Sequence, residues 1–381
     1  MHINPVLADL GSSPMADIHD RARAMRTQGV ALIDFSIGDP REPTPEFIPA
    51  ALRDAIPEIS QYPTTAGMAE TRQAVAGYVL RRFGRTVDPS TQVIPTAGAK
   101  EAIFSTPLAF LDRAGRRTVV YASPGYATYE RGTKLAGGVP FEVRLSGDFR
   151  FRASTIPPEI WDEAVLVWIN SPHNPSGAVS TREELQEFYD TARASDTLLC
   201  ADECYADVYV DDPPASVLDV ADSELTGVLS FLSLSKRSGM TGYRAAAIVG
   251  DSAAVGVLKN LRSATGTASP EFVQAAAIAG WNDDAHVSPR REVFAAKRAV
   301  LRDVFASHGY PTVASDAGLY LWVEVDDDEA MARDLLEHHI VVSPGRVFGH
   351  GGEGHIRLAL VPTLEECREA VEVLNACLTN R

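Results

Sequence analysis

Residues 164–177 read AVLVWINSPHNPSG, an unbroken apolar run that leads into a polar, proline-rich loop. Apolar residues occupy both alternating positions of the run, which is typical of a β-strand buried on both faces of a mainly parallel sheet. Segments such as TREELQEFYDTARAS, which Ser180 or Thr181 can cap, have the pattern of helices between such strands. The alternation predicts an α/β sheet with right-handed crossovers. Five further runs have the same strand character: TQVIPT (91–96), TVVYAS (118–123), TLLCAD (197–202), VLSFLSLS (228–235) and AAAIVG (245–250).

The pattern changes after about residue 270, where two long helical segments precede a mixture of shorter strands and helices. This change predicts a second, smaller α+β unit. We therefore divide the chain into a large domain over 41–270 and a small C-terminal domain over 271–381. The remaining segment, 1–40, is expected to pack on the small domain or on a partner subunit.

The composition excludes several classes of function. With 35 basic and 51 acidic residues the formal charge is −16, which argues against nucleic acid or an anionic membrane as the main partner. The four cysteines form no CxxC pair, and no signal peptide or 18-residue apolar span is recognised. The adjacent His338 and His339 cannot share one helix face as metal ligands. We expect a cytoplasmic protein without a metal site.

Polar residues follow the predicted strands at their carboxyl ends, where open α/β sheets bind ligands. The run at 164–170 leads to Asn174, and the run at 197–202 leads to Asp202 and Tyr205. A single lysine at such a place is usually a surface charge, so only the combination of residues indicates a site. The other residues expected at this edge are Gly98, Ala99, Lys100, Tyr126 and Lys236.

Four motifs carry a resemblance to a known family: NSPHNPSG (170–177), ADECY (201–205), SLSKRSGMTGYR (233–244) and HIRLAL (355–360). In order and spacing, over nearly the whole chain, they resemble the fold type I aminotransferases of class I/II, which use pyridoxal 5′-phosphate. The resemblance implies a large domain with a mainly parallel seven-stranded sheet flanked by helices, and a smaller α+β domain. It also implies a homodimer with shared active sites.

The resemblance assigns a role to each residue around the cofactor. Lys236 would bind it covalently and move the substrate proton, and Asp202 would keep its ring nitrogen protonated. Asn174 and Tyr205 would hydrogen-bond its phenolic oxygen, while Tyr126 would stack on the ring. The phosphate would be held by the helix start at Gly98, Ala99 and Lys100, by Ser233 and Arg244, and by Tyr62 of the neighbouring subunit.

On the substrate side, the resemblance implies that Arg357 binds the α-carboxylate, assisted by Asn174 and by the backbone N–H of Gly38. A second carboxylate would need another cation. Arg41 is the hypothesis, with Arg346 as the alternative, because both lie close in sequence to substrate-contacting positions.

The N-terminal half suggests a substrate. Stretches such as SIGDPREPTPEFIPAAL and QYPTTAGMAETRQAVAGYVLRRFG resemble the bacterial N-succinyldiaminopimelate aminotransferases of lysine and peptidoglycan precursor synthesis. This resemblance implies ping-pong transamination with glutamate and 2-oxoglutarate. The alternatives are a broad aspartate- or aromatic-type aminotransferase and a carbon–sulfur lyase on the same fold. A cofactor-binding regulatory module is disfavoured, because no basic helix-turn-helix segment is recognised.

Overall fold

The computed structural model describes residues 1, 3–9, 15–112 and 114–379. Two 3-10 helices, Ala153–Thr155 and Gly345–Phe348, accompany the regular elements. The strands are β1 (Ile33–Asp34), β2 (Val93–Thr96), β3 (Thr118–Ser123), β4 (Val139–Arg144), β5 (Ala164–Asn170), β6 (Leu198–Asp202), β7 (Val228–Ser233), β8 (Ala246–Gly250), β9 (Tyr320–Glu324), β10 (Ile340–Val341), β11 (Ser343–Pro344) and β12 (His355–Ala359). The helices are α1 (Pro5–Asp9), α2 (Ala16–Thr27), α3 (Phe47–Asp54), α4 (Ala69–Phe83), α5 (Ala99–Phe110), α6 (Thr128–Leu135), α7 (Pro158–Glu163), α8 (Arg182–Ala194), α9 (Val217–Val220), α10 (Leu234–Arg237), α11 (Ser252–Thr265), α12 (Glu271–Asn282), α13 (Val287–Ser307), α14 (Asp328–Glu337) and α15 (Leu364–Leu378).

The large domain is built on a seven-stranded sheet in the order β2-β8-β7-β6-β5-β3-β4. The five strands from β7 to β4 run parallel, and β8 is antiparallel to both of its neighbours. This confirms the predicted α/β class. Every residue of β3, β7 and β8 is buried, which is why their sequences show no alternation of polar and apolar residues. The strand absent from the prediction is β4, a partly exposed edge strand with a mixed sequence.

Two helix starts follow directly from local sequence. Thr181 caps α8 by accepting a hydrogen bond from the backbone N–H of Glu184, whose carboxylate accepts from Thr181 N–H in return. Ser233 acts similarly where β7 ends: its hydroxyl accepts from the N–H of Ser235 at 3.1 Å. The predicted strand over 228–235 therefore stops at Ser233, and Lys236 lies on the short helix α10.

The small domain contains the antiparallel sheet β11-β12-β9, and a separate parallel pair joins β1 to β10. The described part of the N-terminal segment packs on this domain. Met15, Ile18, Ala22 and Phe35 lie in its apolar core together with residues of β9, β12 and α15.

Helix α12 lies just beyond the predicted domain boundary at residue 270. Helix α12 packs against α3 and α4, and Trp281 joins the large-domain core with its ring centroid 4.8 Å from that of Tyr78. A helix packs through its apolar face, and the apolar face of α12 is buried against helices of the large domain. The predicted division at residue 270 stays a prediction, and we propose that the boundary lies between α12 and α13.

Within the described ranges, no helix is long and apolar enough to span a membrane. The same residues contain no group of three His, Cys, Asp or Glu side chains that could hold a metal ion.

Candidate active site

A cavity of about 690 Å³ lies at the carboxyl edge of the large sheet, closed on its other side by Ser36–Asp39 and by β12. Most of the residues predicted for the site meet in its lining. They are Gly38, Ala99, Lys100, Tyr126, Asn174, Asp202, Tyr205, Ser233, Lys236, Arg244 and Arg357.

Asp202 ends β6 and is almost fully buried. One carboxylate oxygen accepts the backbone N–H of Cys204 at 3.2 Å, and the other accepts the hydroxyl of Tyr129 at 2.8 Å. Burial raises the pKa of Asp202, whereas these hydrogen bonds act in the opposite direction. The carboxylate is thus a buried acceptor, as the protonated ring nitrogen of the predicted cofactor requires.

Lys236 lines the same cavity as Asp202, and its amine donates a hydrogen bond to the carbonyl oxygen of Gly38. Burial lowers the pKa of Lys236 to about 8; Asp39 opposes this shift, while Arg357 and Arg244 add to it. A lysine with such a pKa has an appreciable neutral fraction near pH 7, so its amine can act as a nucleophile.

A second group of residues forms an anion cradle. Gly98 stands before α5 with φ 92°, and a Cβ at this position would collide with the guanidinium of Arg244. Because glycine has no side chain to cap the helix, the first-turn N–H groups of α5 remain available to an anion. Arg244 and the hydroxyl of Ser233 line the same cavity. This set of donors fits the phosphate of pyridoxal phosphate.

Arg357 is buried and held in place from four directions. Its Nη1 donates to Asn174 Oδ1 at 2.9 Å, and its Nη2 donates to Ser36 O at 2.7 Å. The guanidinium carbon lies 4.4 Å from the ring centroid of Tyr320 and 4.3 Å from that of Phe348. Its Nε has no hydrogen-bond partner among the described residues. A fixed guanidinium with a free donor is suited to bind a carboxylate.

Tyr320 is a site residue that no sequence motif identified. Its hydroxyl lies 2.7 Å from that of Tyr205, so it supports the residue predicted to contact the phenolic oxygen. A Cβ on Gly38 would lie 2.6 Å from the same hydroxyl, which explains the glycine. Tyr129 was missed as well, although its position three residues after Tyr126 was a usable signal.

Three predicted residues lie elsewhere. Arg41 pairs with Glu366 at 2.9 Å and does not line the cavity formed by the described residues. Arg346 pairs with Asp328 at 2.6 Å and lines a neighbouring cavity of about 510 Å³. Tyr62 is fully exposed. The structure therefore gives no support to Arg41 or Arg346 as a substrate cation within this chain, and it leaves Tyr62 free to meet another molecule.

Comparison with known proteins agrees with this geometry. An "LL-diaminopimelate aminotransferase 2" from Trichormus variabilis is 35% identical over 368 residues, covering 94% of both chains. A 4-dedimethylamino-4-oxo-anhydrotetracycline transaminase from Streptomyces rimosus is 37% identical over 343 residues, covering 89% of this chain and 92% of its own. An aminotransferase structure from Neisseria meningitidis superposes with a TM-score of 0.91 at 32% identity, covering 99% of this chain and 100% of that one.

The finer resemblance to N-succinyldiaminopimelate aminotransferases is not confirmed, because the Trichormus relative is named for LL-diaminopimelate. The broader resemblance is confirmed, since the family model for aminotransferase class I and II matches residues 30–374. The chain belongs to the class I and II aminotransferases and is a pyridoxal-phosphate-dependent enzyme.

Proposed function

We propose that the protein transfers an amino group from glutamate to the oxo form of a diaminopimelate-type substrate, in two half-reactions that share one site. The observation that carries this proposal is the meeting of Lys236, Asp202 and Arg357 in one cavity. These three residues provide an amine with a lowered pKa, a buried carboxylate and a fixed guanidinium. Amino transfer between two carboxylic acids needs all three.

Each residue has a distinct task in this chemistry. Pyridoxal phosphate, when bound, supplies an electron sink for the pair released at the substrate Cα. Arg357 binds the α-carboxylate and so orients the substrate, with Asn174 fixing the guanidinium from behind. The Nζ of Lys236 accepts the proton from Cα and later returns it. Asp202 holds the proton on the ring nitrogen throughout.

We prefer LL-diaminopimelate as the candidate substrate, because the Trichormus relative is named for it. N-succinyl-LL-diaminopimelate is the second candidate, favoured by the motifs of the N-terminal half. The Streptomyces transaminase is about as similar in sequence to this chain as the Trichormus relative is, so sequence identity alone does not identify the substrate. The two compounds differ at their distal end, where one carries a free ammonium and the other a succinyl amide.

The first experiment is the visible spectrum of the purified, cofactor-loaded enzyme before and after glutamate is added alone. We expect the absorbance of the Lys236-linked cofactor to bleach and to return when an oxo acid is supplied. Lys236→Ala should show no such change, whereas Lys259→Ala, a remote lysine on α11, should behave like the wild type. A bound cofactor that does not respond to glutamate, together with release of ammonia or sulfide from other amino acids, would assign the chain to the lyases of this fold.

A donor panel then identifies the substrate. The reference compounds are LL-diaminopimelate, its N-succinyl derivative, aspartate and an aromatic amino acid, each tested with 2-oxoglutarate. We expect the highest kcat/KM with LL-diaminopimelate. A higher value with the succinylated compound would restore the resemblance inferred from sequence, and comparable values with aspartate would support a broad aminotransferase.

We also propose that the enzyme is a homodimer in which Tyr62 reaches the cofactor phosphate of the partner subunit. Tyr62 is fully exposed, and the exposed Ile56 and Ile59 lie nearby in sequence. Mixing Tyr62→Ala with Lys236→Ala protein tests this arrangement. A mixed dimer contains one site with both Lys236 and Tyr62, so cofactor affinity should recover in a fraction of the sites. No recovery in a verified mixed dimer would contradict the sharing of Tyr62.

A further inference from the structure

Tyr129 has no assigned role, yet it contacts the residue on which the cofactor chemistry depends. It lies on the first turn of α6 and is only 3% exposed. Its hydroxyl donates to Asp202 Oδ2 at 2.8 Å, which is shorter than the 3.2 Å contact from Cys204 N–H to Oδ1. Tyr129 therefore provides one of the hydrogen bonds that lower the pKa of the Asp202 carboxylate, beside those from the side chain and the backbone N–H of Cys204.

Aromatic neighbours hold the ring of Tyr129 in one orientation. It stacks on Trp168 of β5 with ring centroids 5.2 Å apart and planes 18° apart. It also meets Tyr126 edge-to-face at 5.7 Å, and Trp168 itself packs against Phe231 of β7 at 4.9 Å. The hydroxyl is thus fixed by side chains from two strands of the sheet. It also lies next to Tyr126, the residue predicted to cover the cofactor ring.

The direction of this hydrogen bond does not change with pH in the ordinary range. Burial raises the pKa of the Tyr129 hydroxyl well above its usual value, and the neighbouring Asp202 raises it further. The hydroxyl therefore stays protonated and acts as a donor. A donor that cannot give up its proton favours the ionised form of its partner, and such charge-assisted bonds are stronger than neutral ones.

We propose that Tyr129 is a positioning residue that keeps Asp202 ionised and aims its free lone pairs at the ring nitrogen of the cofactor. The inference rests on the assignment of the chain to the pyridoxal-phosphate aminotransferases. Without Tyr129, the Asp202 carboxylate would keep only its contacts with Cys204 in a buried site. It would then take up a proton more readily and would hold the ring nitrogen proton less firmly.

The test compares Tyr129→Phe with Tyr121→Phe. Phenylalanine at 129 preserves the stack on Trp168 and removes only the hydroxyl. Tyr121 is a matched control, because it is also buried and its ring centroid lies 6.5 Å from that of Tyr129. We expect Tyr129→Phe to weaken cofactor binding by about tenfold to a hundredfold, as for loss of a hydrogen bond to a charged group. The loss should grow as the pH falls. Tyr121→Phe should bind normally.

Two further measurements separate this role from a structural one. With ¹⁵N-labelled pyridoxal phosphate, the ring nitrogen should give a pyridinium signal in the wild type and shift toward neutral pyridine in Tyr129→Phe. In an Asp202→Asn background, Tyr129→Phe should add little further loss of affinity, because the charge that it supports is gone. The melting temperature of each cofactor-free variant checks that it is folded.

The inference is overturned if folded Tyr129→Phe retains both the affinity and the ¹⁵N signal of the wild type. It is also overturned if the mutation costs the same affinity in the Asp202→Asn background, since the effect would then not pass through the carboxylate. Failure of the wild-type protein to bind the cofactor at all would instead contradict the proposed function.

Discussion

The two walls of the active-site cavity are built in different ways. The cofactor wall consists of residues at or just beyond the ends of strands of one sheet, such as Asp202 at the end of β6 and Lys236 on the short helix after β7. The substrate wall joins distant parts of the chain: Arg357 on β12 binds the carbonyl of Ser36, a residue 321 positions away. Tyr320 on β9 completes this wall.

This difference explains which features were visible from sequence. Parallel strands bring their carboxyl ends to one edge, so local motifs are sufficient to predict the cofactor wall. The substrate wall depends on how the N-terminal connection and the small domain lie against the large sheet. Mutations in the two walls should therefore separate cofactor binding from substrate binding.

The largest effect is expected for Lys236→Ala in the cofactor wall. Loss of the amine removes both the covalent attachment and the proton carrier, which contributes about 10²–10⁴-fold to the rate of such reactions. Single-turnover kinetics with glutamate should show at least this loss, while Lys259→Ala stays at the wild-type rate. A Lys236→Ala rate close to wild type would mean that another base acts at Cα.

Arg357→Gln tests the substrate wall. Removing one partner of a buried charge pair costs about 2–5 kcal/mol, and we expect kcat/KM for glutamate to fall accordingly. The affinity for pyridoxal phosphate should change little. Arg346→Gln, which affects an arginine paired with Asp328 outside the cavity, is the control. An equal loss of cofactor affinity in Arg357→Gln would show that the two walls are not independent.

The pH dependence of cofactor capture gives a smaller, graded effect. Burial lowers the pKa of Lys236 to about 8, and only the neutral amine attacks the aldehyde. The rate of covalent capture by the cofactor-free protein should rise about tenfold per pH unit below pH 8 and level off above it. Stopped-flow absorbance measures this rate. A rise that continues to about pH 10 would indicate an unshifted lysine.

Tyr320→Phe tests the hydrogen bond that connects the two walls. The ring over Arg357 remains, but Tyr205 loses its partner at 2.7 Å, a change of about 0.5–1.5 kcal/mol. We expect a two- to tenfold decrease in kcat, as calculated from the same range. Tyr310→Phe, on the partly buried rim of the small-domain core, is the control and should be neutral. An unchanged kcat in Tyr320→Phe would show that the hydrogen bond between Tyr205 and Tyr320 does not contribute to the reaction.

The smallest effect is expected for Arg41→Ala. Its side chain is 46% exposed and pairs with Glu366 at the surface, and such pairs contribute about 0–1 kcal/mol to stability. Chemical denaturation measures this change. The relative rates with donors that carry one or two carboxylates should stay the same. A selective loss with dicarboxylic donors would show that Arg41 leaves Glu366 when substrate binds.

The sequence predictions are accurate where the deciding interactions are local in the chain, and less accurate where those interactions join distant segments. The runs at 118–123 and 164–170 are strands with the predicted bounds, because complete or nearly complete burial selects apolar residue types at successive positions. The packing of helix α12 on α3 and α4 was not visible from sequence, because a helical pattern does not show which surface its apolar face will bury. The sequence of edge strand β4 lacks the apolar pattern that indicates a buried strand, so this strand was not predicted.

The same reasoning applies to individual site residues. Lys236, Asp202 and Arg357 were identified because their chemistry requires those residue types inside recognisable motifs. Tyr129 and Tyr320 were missed, since a buried tyrosine in sequence is equally compatible with simple packing. Arg41 was chosen for its proximity in sequence, whereas the orientation of its side chain is decided by Glu366 on the distant helix α15.

The sequence by itself determined the α/β architecture, the cofactor wall and the chemical class of the enzyme. The architecture and the cofactor wall depend on burial patterns and on local strand-to-loop transitions, which act over a few residues, whereas the chemical class follows from the resemblance of four motifs to a known family. Only the tertiary structure decided the packing of α12, the partners of Arg357 and Arg41, and the contact between Tyr129 and Asp202. Those features join segments far apart in the chain, and their geometry arises only when the two domains and the sheet pack together.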